Sequence, residues 1–170
     1  MNLKSIVAGS FAAIMIMSGC SAGVEETGSQ PHDETEHGHV HELKNGDIQE
    51  ETESAEVLPE FLKDRPEQMQ AVYKGAALNE EVLSSIPCYC GCGDSAGHKS
   101  SLNCFVAAIK EDGAVVWDDH GTRCNVCIDI AAESIAQFKD GKSLIEIREY
   151  IDNKYKEGYA KPTPTPMPKA

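Results

Sequence analysis

The strongest chemical signal in the sequence is the segment Pro87-Cys88-Tyr89-Cys90-Gly91-Cys92-Gly93, which places three cysteines within five residues. In an extended segment alternate side chains point to one side, so the three thiols can face a common point. The two glycines remove side-chain bulk and allow the backbone to wrap around that point. A disulfide between cysteines two residues apart is strained. The spacing therefore favours either a metal ion or distant cysteines as partners of these sulfurs.

The distant cysteines are Cys104, Cys124 and Cys127. The last two form a C-x-x-C pair at the start of a predicted helix that Thr122 caps. Unpaired N–H groups and the positive end of a helix stabilise thiolates, and the lowered thiol pKa favours both metal binding and thiol exchange. Cys104 follows Cys88 by sixteen residues and lies near the N-terminus of another predicted helix. It is therefore a further candidate ligand.

Two histidines, His98 and His120, each lie beside a cysteine group and before a predicted helix. Imidazole is a frequent metal ligand, and we expect Asp118 or Asp119 to hold the second ring nitrogen of His120. The predicted metal site therefore has six sulfur and two nitrogen ligands, which are Cys88, Cys90, Cys92, His98, Cys104, His120, Cys124 and Cys127.

Eight ligands of this kind suit either two tetrahedral Zn²⁺ sites or one Cu(I)–thiolate cluster. Zinc prefers four sulfur or nitrogen ligands, whereas dense thiolates suit the softer Cu(I) better. Iron–sulfur ligation fits the count but is less suited to an oxidising surface. We therefore expect a metal ion as the cofactor, with Cu(I) favoured and zinc second.

The first residues have the pattern of an export signal, in which Lys4 precedes an apolar or small run over residues 5–19. The run is short for a membrane span and has the length of a signal-peptide core. It ends in Met17-Ser18-Gly19-Cys20, which resembles a bacterial lipobox. We expect residues 1–19 to be a lipoprotein signal peptide and Cys20 to be lipidated, which anchors the chain at the extracytoplasmic face of the bacterial cytoplasmic membrane. An ordinary signal peptide or an uncleaved anchor is the alternative.

Residues 20–56 are predicted to be a disordered tether. Eleven acidic residues face one base, Lys44, and apolar residues are nearly absent, so the segment cannot bury enough surface to offset its ordering entropy. A histidine tract within it is a candidate secondary metal-collecting site, although it can equally be a solvated spacer. The tract consists of His32, His37, His39 and His41.

Residues 57–156 are predicted to form a small cysteine-rich domain of the all-α class. The expected helices open at Pro66, at Asn79, at Ser100 or Ser101, at Thr122 and at a capping box that begins at Ser143. The third is expected to run through Ile109 and to stop at Gly113, and only residues 114–117 are expected to be extended. Alternating prolines give residues 157–170 the pattern of an extended tail with no core of its own.

The seven-residue motif and its companions in order resemble the PCYCGC-motif family of bacterial lipoproteins. The resemblance covers about residues 79–168. It implies a cysteine-rich domain at an extracytoplasmic address, and it implies no biochemical activity. The companions include Gly97-His98, Cys104-Phe105, Trp117, His120-Gly121, Val126-Cys127 and Gly141-Lys142-Ser143.

Three functions compete. The first is a soft-metal-binding module that captures, buffers or delivers its ion, with a metal-donating or metal-accepting membrane protein as partner. The second is a thiol–disulfide oxidoreductase that uses Cys124 and Cys127, although no βαβ pattern surrounds the pair. The third is a surface adaptor stapled by three disulfides. The formal charge of −13 excludes nucleic acid as a natural partner, and the sequence favours a binding protein over an enzyme.

Overall fold

A four-stranded antiparallel sheet and five α-helices make up residues 38–169, the part of the chain that the computed structural model describes. The strands are β1 (Val40–Glu42), β2 (Ile48–Thr52), β3 (Val106–Ile109) and β4 (Val115–Asp118). The helices are α1 (Glu67–Leu78), α2 (Glu80–Ser84), α3 (Gly93–Ala96), α4 (Asn125–Lys139) and α5 (Leu144–Tyr155). Short 3₁₀ helices occur at Glu60–Leu62, Ser101–Cys104 and Asp119–Arg123. None of the helices in this part of the chain is long and apolar enough to cross a membrane.

The all-α prediction is wrong, because the sheet, in the order β1-β2-β4-β3, makes the fold mixed α and β. The predicted third helix is a 3₁₀ helix, Ser101–Cys104, that continues into β3. Gly113, read as a helix stop, has a φ of 93° and lies in the turn that joins β3 to β4. The β-branched ends of β3 pair with β4 across this turn, so strand pairing overrides the helical spacing of the apolar residues.

Part of the segment read as a disordered tether is also ordered, since β1 and β2 form a hairpin within it. β2 pairs with β4, and the buried Trp117 donates its indole N–H to Thr52 Oγ1 at 2.8 Å. Hydrogen bonds to a buried strand order this acidic segment, although the segment has no large apolar face of its own. His39 immediately precedes β1 and His41 belongs to it, and both residues are exposed. The predicted signal peptide, Cys20, His32 and His37 lie outside the described residues.

The fourth and fifth predicted helices are present, with one change at the start of α4. Thr122 belongs to the preceding 3₁₀ helix, and Cys124 is the N-cap of α4. The capping box of α5 is confirmed, because Ser143 and Glu146 exchange side-chain and backbone hydrogen bonds. The change at α4 matters for the chemistry, because it places Cys124 at the N-terminal end of the helix and Cys127 one turn inside it.

The core lies where α1 and α4 pack beside the sheet. Tyr73 of α1 meets the ring of Phe105 edge to face, with centroids 5.0 Å apart. Its hydroxyl donates to the carbonyl oxygen of Asp118 at 2.9 Å. Both aromatic side chains are fully buried. These contacts fix the end of β4, and the 3₁₀ helix that follows carries His120.

Gly121 lies in a space that admits no side chain. A Cβ atom there would lie 2.6 Å from the Phe105 ring and 2.8 Å from the Cys104 carbonyl oxygen. We expect Gly121→Ala to lower the free energy of unfolding by about 1–3 kcal/mol through overpacking, as measured by urea denaturation. The control is Gly75→Ala, whose Cβ meets only the mobile end of Ile135 at 3.2 Å. Equal stability of the two variants would show that the packing beside Cys104 is loose.

Candidate metal centre

The fold brings all six cysteines of the described residues into one cluster, and the predicted convergence of their sulfurs is confirmed. Three come from the motif loop (residues 87–93), one from the end of the 3₁₀ helix Ser101–Cys104, and two from the start of α4. Overlapping groups of their Sγ atoms lie within 4.8 Å of one another. We call this set the thiol cluster, and its members are Cys88, Cys90, Cys92, Cys104, Cys124 and Cys127.

Cys88 is the centre of the thiol cluster. Its Sγ atom lies 3.1 Å from that of Cys90 and 3.8 Å from that of Cys92. It lies 3.7 Å from both Cys104 Sγ and Cys127 Sγ. Four sulfurs arranged tetrahedrally around a metal ion, with bonds of about 2.3 Å, lie about 3.8 Å apart. Three of the four distances from Cys88 therefore have the spacing of thiolates that share a metal ion.

Burial divides the thiol cluster into an interior and an accessible edge. Cys88, Cys104 and Cys127 are at most 1% exposed. Cys90 and Cys124 are only partly buried, and they share a ligand group with Cys127. All six cysteines are free thiols. An ion can therefore reach the interior sulfurs by way of the two at the edge.

The glycines of the motif loop are required by the chain that packs on it. Gly91 has a φ of 87°, in the left-handed region that favours glycine. A Cβ atom at Gly93 would lie 2.8 Å from Thr163 Cγ2. The loop therefore needs its two glycines to turn and to accept the C-terminal tail.

The C-terminal tail, described over residues 157–169 and predicted to be an extended end without a core, holds the motif loop through hydrogen bonds to the loop backbone. The amide of Thr163 donates to the Cys88 carbonyl oxygen at 3.0 Å, and the amide of Cys88 donates to Thr163 Oγ1 at 2.9 Å. The Ala160 amide donates to the Tyr89 carbonyl oxygen at 3.1 Å. Proline alternates with these residues and has no N–H to satisfy. The tail therefore fixes the backbone of the central cysteine.

We expect Thr163→Val to weaken metal binding by about tenfold, the lower end of the effect of removing a supporting hydrogen bond. Valine keeps the methyl group that meets Gly93 but leaves the Cys88 amide without an acceptor. The measurement is competition with a chromogenic Cu(I) chelator. Thr163→Ser retains the hydroxyl and should bind as the native chain does. Identical affinities of the valine and serine variants would show that the tail does not position Cys88.

His98 lies against the thiol cluster, as its position in the sequence suggested. Its Nδ1 atom is 3.5 Å from Cys92 Sγ and 3.4 Å from Cys104 Sγ, and the residue is 6% exposed. Its ring meets that of His120 edge to face, with centroids 4.7 Å apart. The fold therefore brings both predicted histidines to one side of the cluster.

The residue that holds His120 is Asp47, which the sequence analysis missed. Asp47 Oδ1 and Oδ2 lie 3.2 and 3.1 Å from His120 Nδ1. The expected partners have other roles: Asp118 accepts the His120 amide at 3.0 Å, and Asp119 accepts the Ile48 amide at 2.8 Å. The sequence signal that could have revealed this hairpin was Asn45-Gly46, because Asn-Gly is a strong marker of a hairpin turn. Gly46, with a φ of 82°, turns the chain between β1 and β2 and places Asp47.

The comparisons with known proteins agree with the motif. A family model described as "Protein of unknown function with PCYCGC motif" matches residues 10–168. The chain belongs to the PCYCGC family. The match extends the resemblance, expected over residues 79–168, to most of the chain, including the β1–β2 hairpin. No curated protein and no solved structure matches it.

The thiols of this PCYCGC-family chain differ in pKa because they lie so close together. Hydrogen bonds, first from Cys104 and then from other thiols, stabilise thiolates at Cys90 and Cys92 and lower the pKa of both. Hydrogen bonding to Cys104 and then to Cys124, together with burial, raises the pKa of Cys127. The Cys104 thiol lowers the pKa of Cys88, but Cys90, Cys92 and burial outweigh it and raise that pKa to about 12. Negative charge therefore collects on part of the cluster while its other members keep their protons.

His120 carries the complementary charge. Cys90, followed by Cys92, raises the pKa of its imidazole to about 11, and Asp47 adds to the effect. At neutral pH an imidazolium therefore lies beside two thiolates of the PCYCGC motif. This arrangement offers soft anionic sulfur to a cation, and it places a displaceable proton next to that sulfur.

Proposed function

We propose that this protein binds a soft metal ion in the thiol cluster, with Cu(I) favoured and zinc second, and that it captures, buffers or delivers that ion. One observation carries the proposal: the sulfur of Cys88 lies within 3.8 Å of four other cysteine sulfurs. Thiolates confined in this way repel one another, and a bound cation relieves the repulsion. Cysteine thiolates are the ligands that soft ions prefer.

The sharing of sulfurs favours Cu(I) over zinc. Structural zinc sites are closed sets of four ligands, whereas here Cys88, Cys104 and Cys127 each belong to more than one possible ligand group. A sulfur that belongs to two groups can bridge two ions. The arrangement therefore suits a compact polynuclear thiolate cluster of a soft ion better than isolated tetrahedral sites.

The sequence supports a cellular location for this chemistry. A lipidated Cys20 would hold the protein at the extracytoplasmic face of the bacterial cytoplasmic membrane, and the histidine tract would collect ions beside it. The two cysteines at the accessible edge would exchange the ion with a metal-donating or metal-accepting membrane protein. The net charge of −13 favours cations over nucleic acid as partners.

Native mass spectrometry of the full chain in detergent tests the proposal. Reduced protein is offered Cu(I) or Zn²⁺ without oxygen, and the retained metal is counted after desalting. We expect several Cu(I) ions per chain, loaded together, and fewer Zn²⁺ ions. A fully reduced chain that retains neither metal would contradict the proposal.

Thiol–disulfide exchange by Cys124 and Cys127 is the alternative with a specific observation in its favour, since the N-cap of α4 is partly exposed. However, although Cys127 lowers the pKa of the Cys124 thiol, Cys90 and burial outweigh it and raise that pKa, which is the opposite of what an attacking thiol needs. Reduction of a model disulfide that is lost in Cys124→Ser would support exchange. An intact mass lower by six hydrogens would support the disulfide-stapled adaptor.

A further inference from the structure

We infer that the protein has a second metal site, formed by Asp47, His98 and His120, which takes a borderline divalent cation such as Zn²⁺ beside the thiol cluster. The inference goes beyond the proposed function because the donors are two imidazoles and a carboxylate rather than thiolates. Ligands of this type select borderline divalent ions over Cu(I). The protein would then hold two chemically different metals side by side.

The geometry already has the spacing of a metal site. One ligand atom from each of the three residues lies within 4.8 Å of the others. Bonds of about 2.1 Å that meet at tetrahedral or octahedral angles place their donor atoms about 3.0–3.4 Å apart. The Asp47 oxygens lie 3.1 and 3.2 Å from His120 Nδ1, and a bound ion would take the place of the proton that joins them. Small movements of the adjacent His98 ring would complete a three-ligand set.

The charge around the three ligands also favours a divalent cation. Asp47 and Asp118 are 2% exposed and Asp119 is 7% exposed. The Arg123 guanidinium contacts Asp47 and pairs with Asp119 at 2.9 Å. Buried carboxylates need compensating charge, and the Arg123 guanidinium and the His120 imidazolium together do not balance these three carboxylates and the two thiolates beside His120. The Arg123 side chain is 47% exposed, so it can turn to solvent and leave Asp47 to the metal.

A small polar cavity gives water access to the His98 side of the proposed site. It has a volume of about 170 Å³ and reaches His98, and its other polar walls are Gln49, Asn103 and Asp118. A water molecule occupies about 30 Å³ of the liquid. The cavity can therefore hold water molecules beside His98, although Asp47 and His120 do not line it.

The test is a sequential loading of the full chain in detergent, in a background in which the four tract histidines are replaced by glutamine. The thiol cluster is first filled with Cu(I), and Zn²⁺ is then added and counted by native mass spectrometry. We expect one tightly held Zn²⁺ per Cu(I)-filled chain. Asp47→Asn and His120→Gln should each lose the Zn²⁺; Asp47→Asn should keep the Cu(I), and Asp140→Asn, an exposed residue at the end of α4, should retain both metals.

Co²⁺ in place of Zn²⁺ reports the donor type. We expect weak d–d absorption without a sulfur-to-cobalt charge-transfer band in the Cu(I)-filled chain. The site is disproved if the Cu(I)-filled chain retains no Zn²⁺, or if both variants retain it, and in either case the thiol-cluster proposal stands. If Cu(I) does not bind but Asp47→Asn and His120→Gln still abolish Zn²⁺ binding, the second site stands and the proposed function fails.

Discussion

Loading the thiol cluster at neutral pH should release about four protons per chain, because four of its thiols have a raised pKa and must deprotonate to become ligands. Protons and metal compete for the same sulfurs, so the affinity for metal falls as pH falls. With four protons displaced, the affinity should change by up to about ten-thousandfold per pH unit. The four thiols are those of Cys88, Cys104, Cys124 and Cys127.

Titration calorimetry measures this release, since the apparent binding enthalpy in buffers of different ionisation enthalpy gives the proton count. Competition with a chelator between about pH 6 and pH 8, where these four thiols remain protonated in the metal-free protein, gives the slope. A variant with fewer ligands, such as Cys124→Ser, should release fewer protons. A proton count near zero in the native chain would mean that the thiols either carry no protons or are not the ligands.

The second large effect is expected at the centre of the thiol cluster. Cys88→Ser removes the sulfur that lies within 3.8 Å of four others. Removing even a supporting group of a metal site costs about 10- to 100-fold in affinity, so losing this shared ligand should weaken Cu(I) binding by more than about 100-fold. Loading should also become less cooperative, because the sulfur with the most close sulfur neighbours no longer bridges the ions.

The matched control is Cys124→Ser at the accessible edge, where Cys124 shares a ligand group with Cys90 and Cys127. We expect it to weaken binding far less and to keep cooperative loading. Circular dichroism would show whether both variants keep their secondary structure, and thiolate-to-metal absorption would follow loading. Equal losses in the two variants would contradict the central role of Cys88.

The sequence was informative wherever the signal was local. Three helices were predicted from residues about one turn apart, and α1, α4 and α5 are present. The signals were the apolar stripe that includes Tyr73, the C-x-x-C pair at a helix start and the capping box at Ser143. The convergence of the sulfurs followed from the cysteine count and spacing. The metal itself remains a prediction.

The sheet could not be predicted in the same way, because its order depends on pairs distant in sequence. Thr52 faces Val115, and Gln49 faces Asp118. The acidic composition of β2 concealed this partnership, and an amphipathic helical spacing concealed β3. Asp47 was missed for the same reason, since a hairpin assigned to a disordered segment cannot supply a residue to a site.

The role of the tail was equally non-local. The Pro-Thr alternation correctly indicated an extended chain, but Thr163 and Thr165 are each only 7% exposed. Thr165 Oγ1 donates to the Lys99 carbonyl oxygen at 2.6 Å, next to His98. The partners of these hydroxyl groups lie more than sixty residues earlier in the chain, where composition gives no indication of them.

X-ray absorption spectroscopy of the full chain loaded with Cu(I) tests the central claim most directly, because it reports the atoms bound to the metal. The gathered sulfurs predict a first shell of sulfur only, at about 2.3 Å, the distance typical of thiolate bonds, with a further metal neighbour from bridging through Cys88. A first shell of nitrogen and oxygen, or copper held by the histidine tract alone, would contradict it.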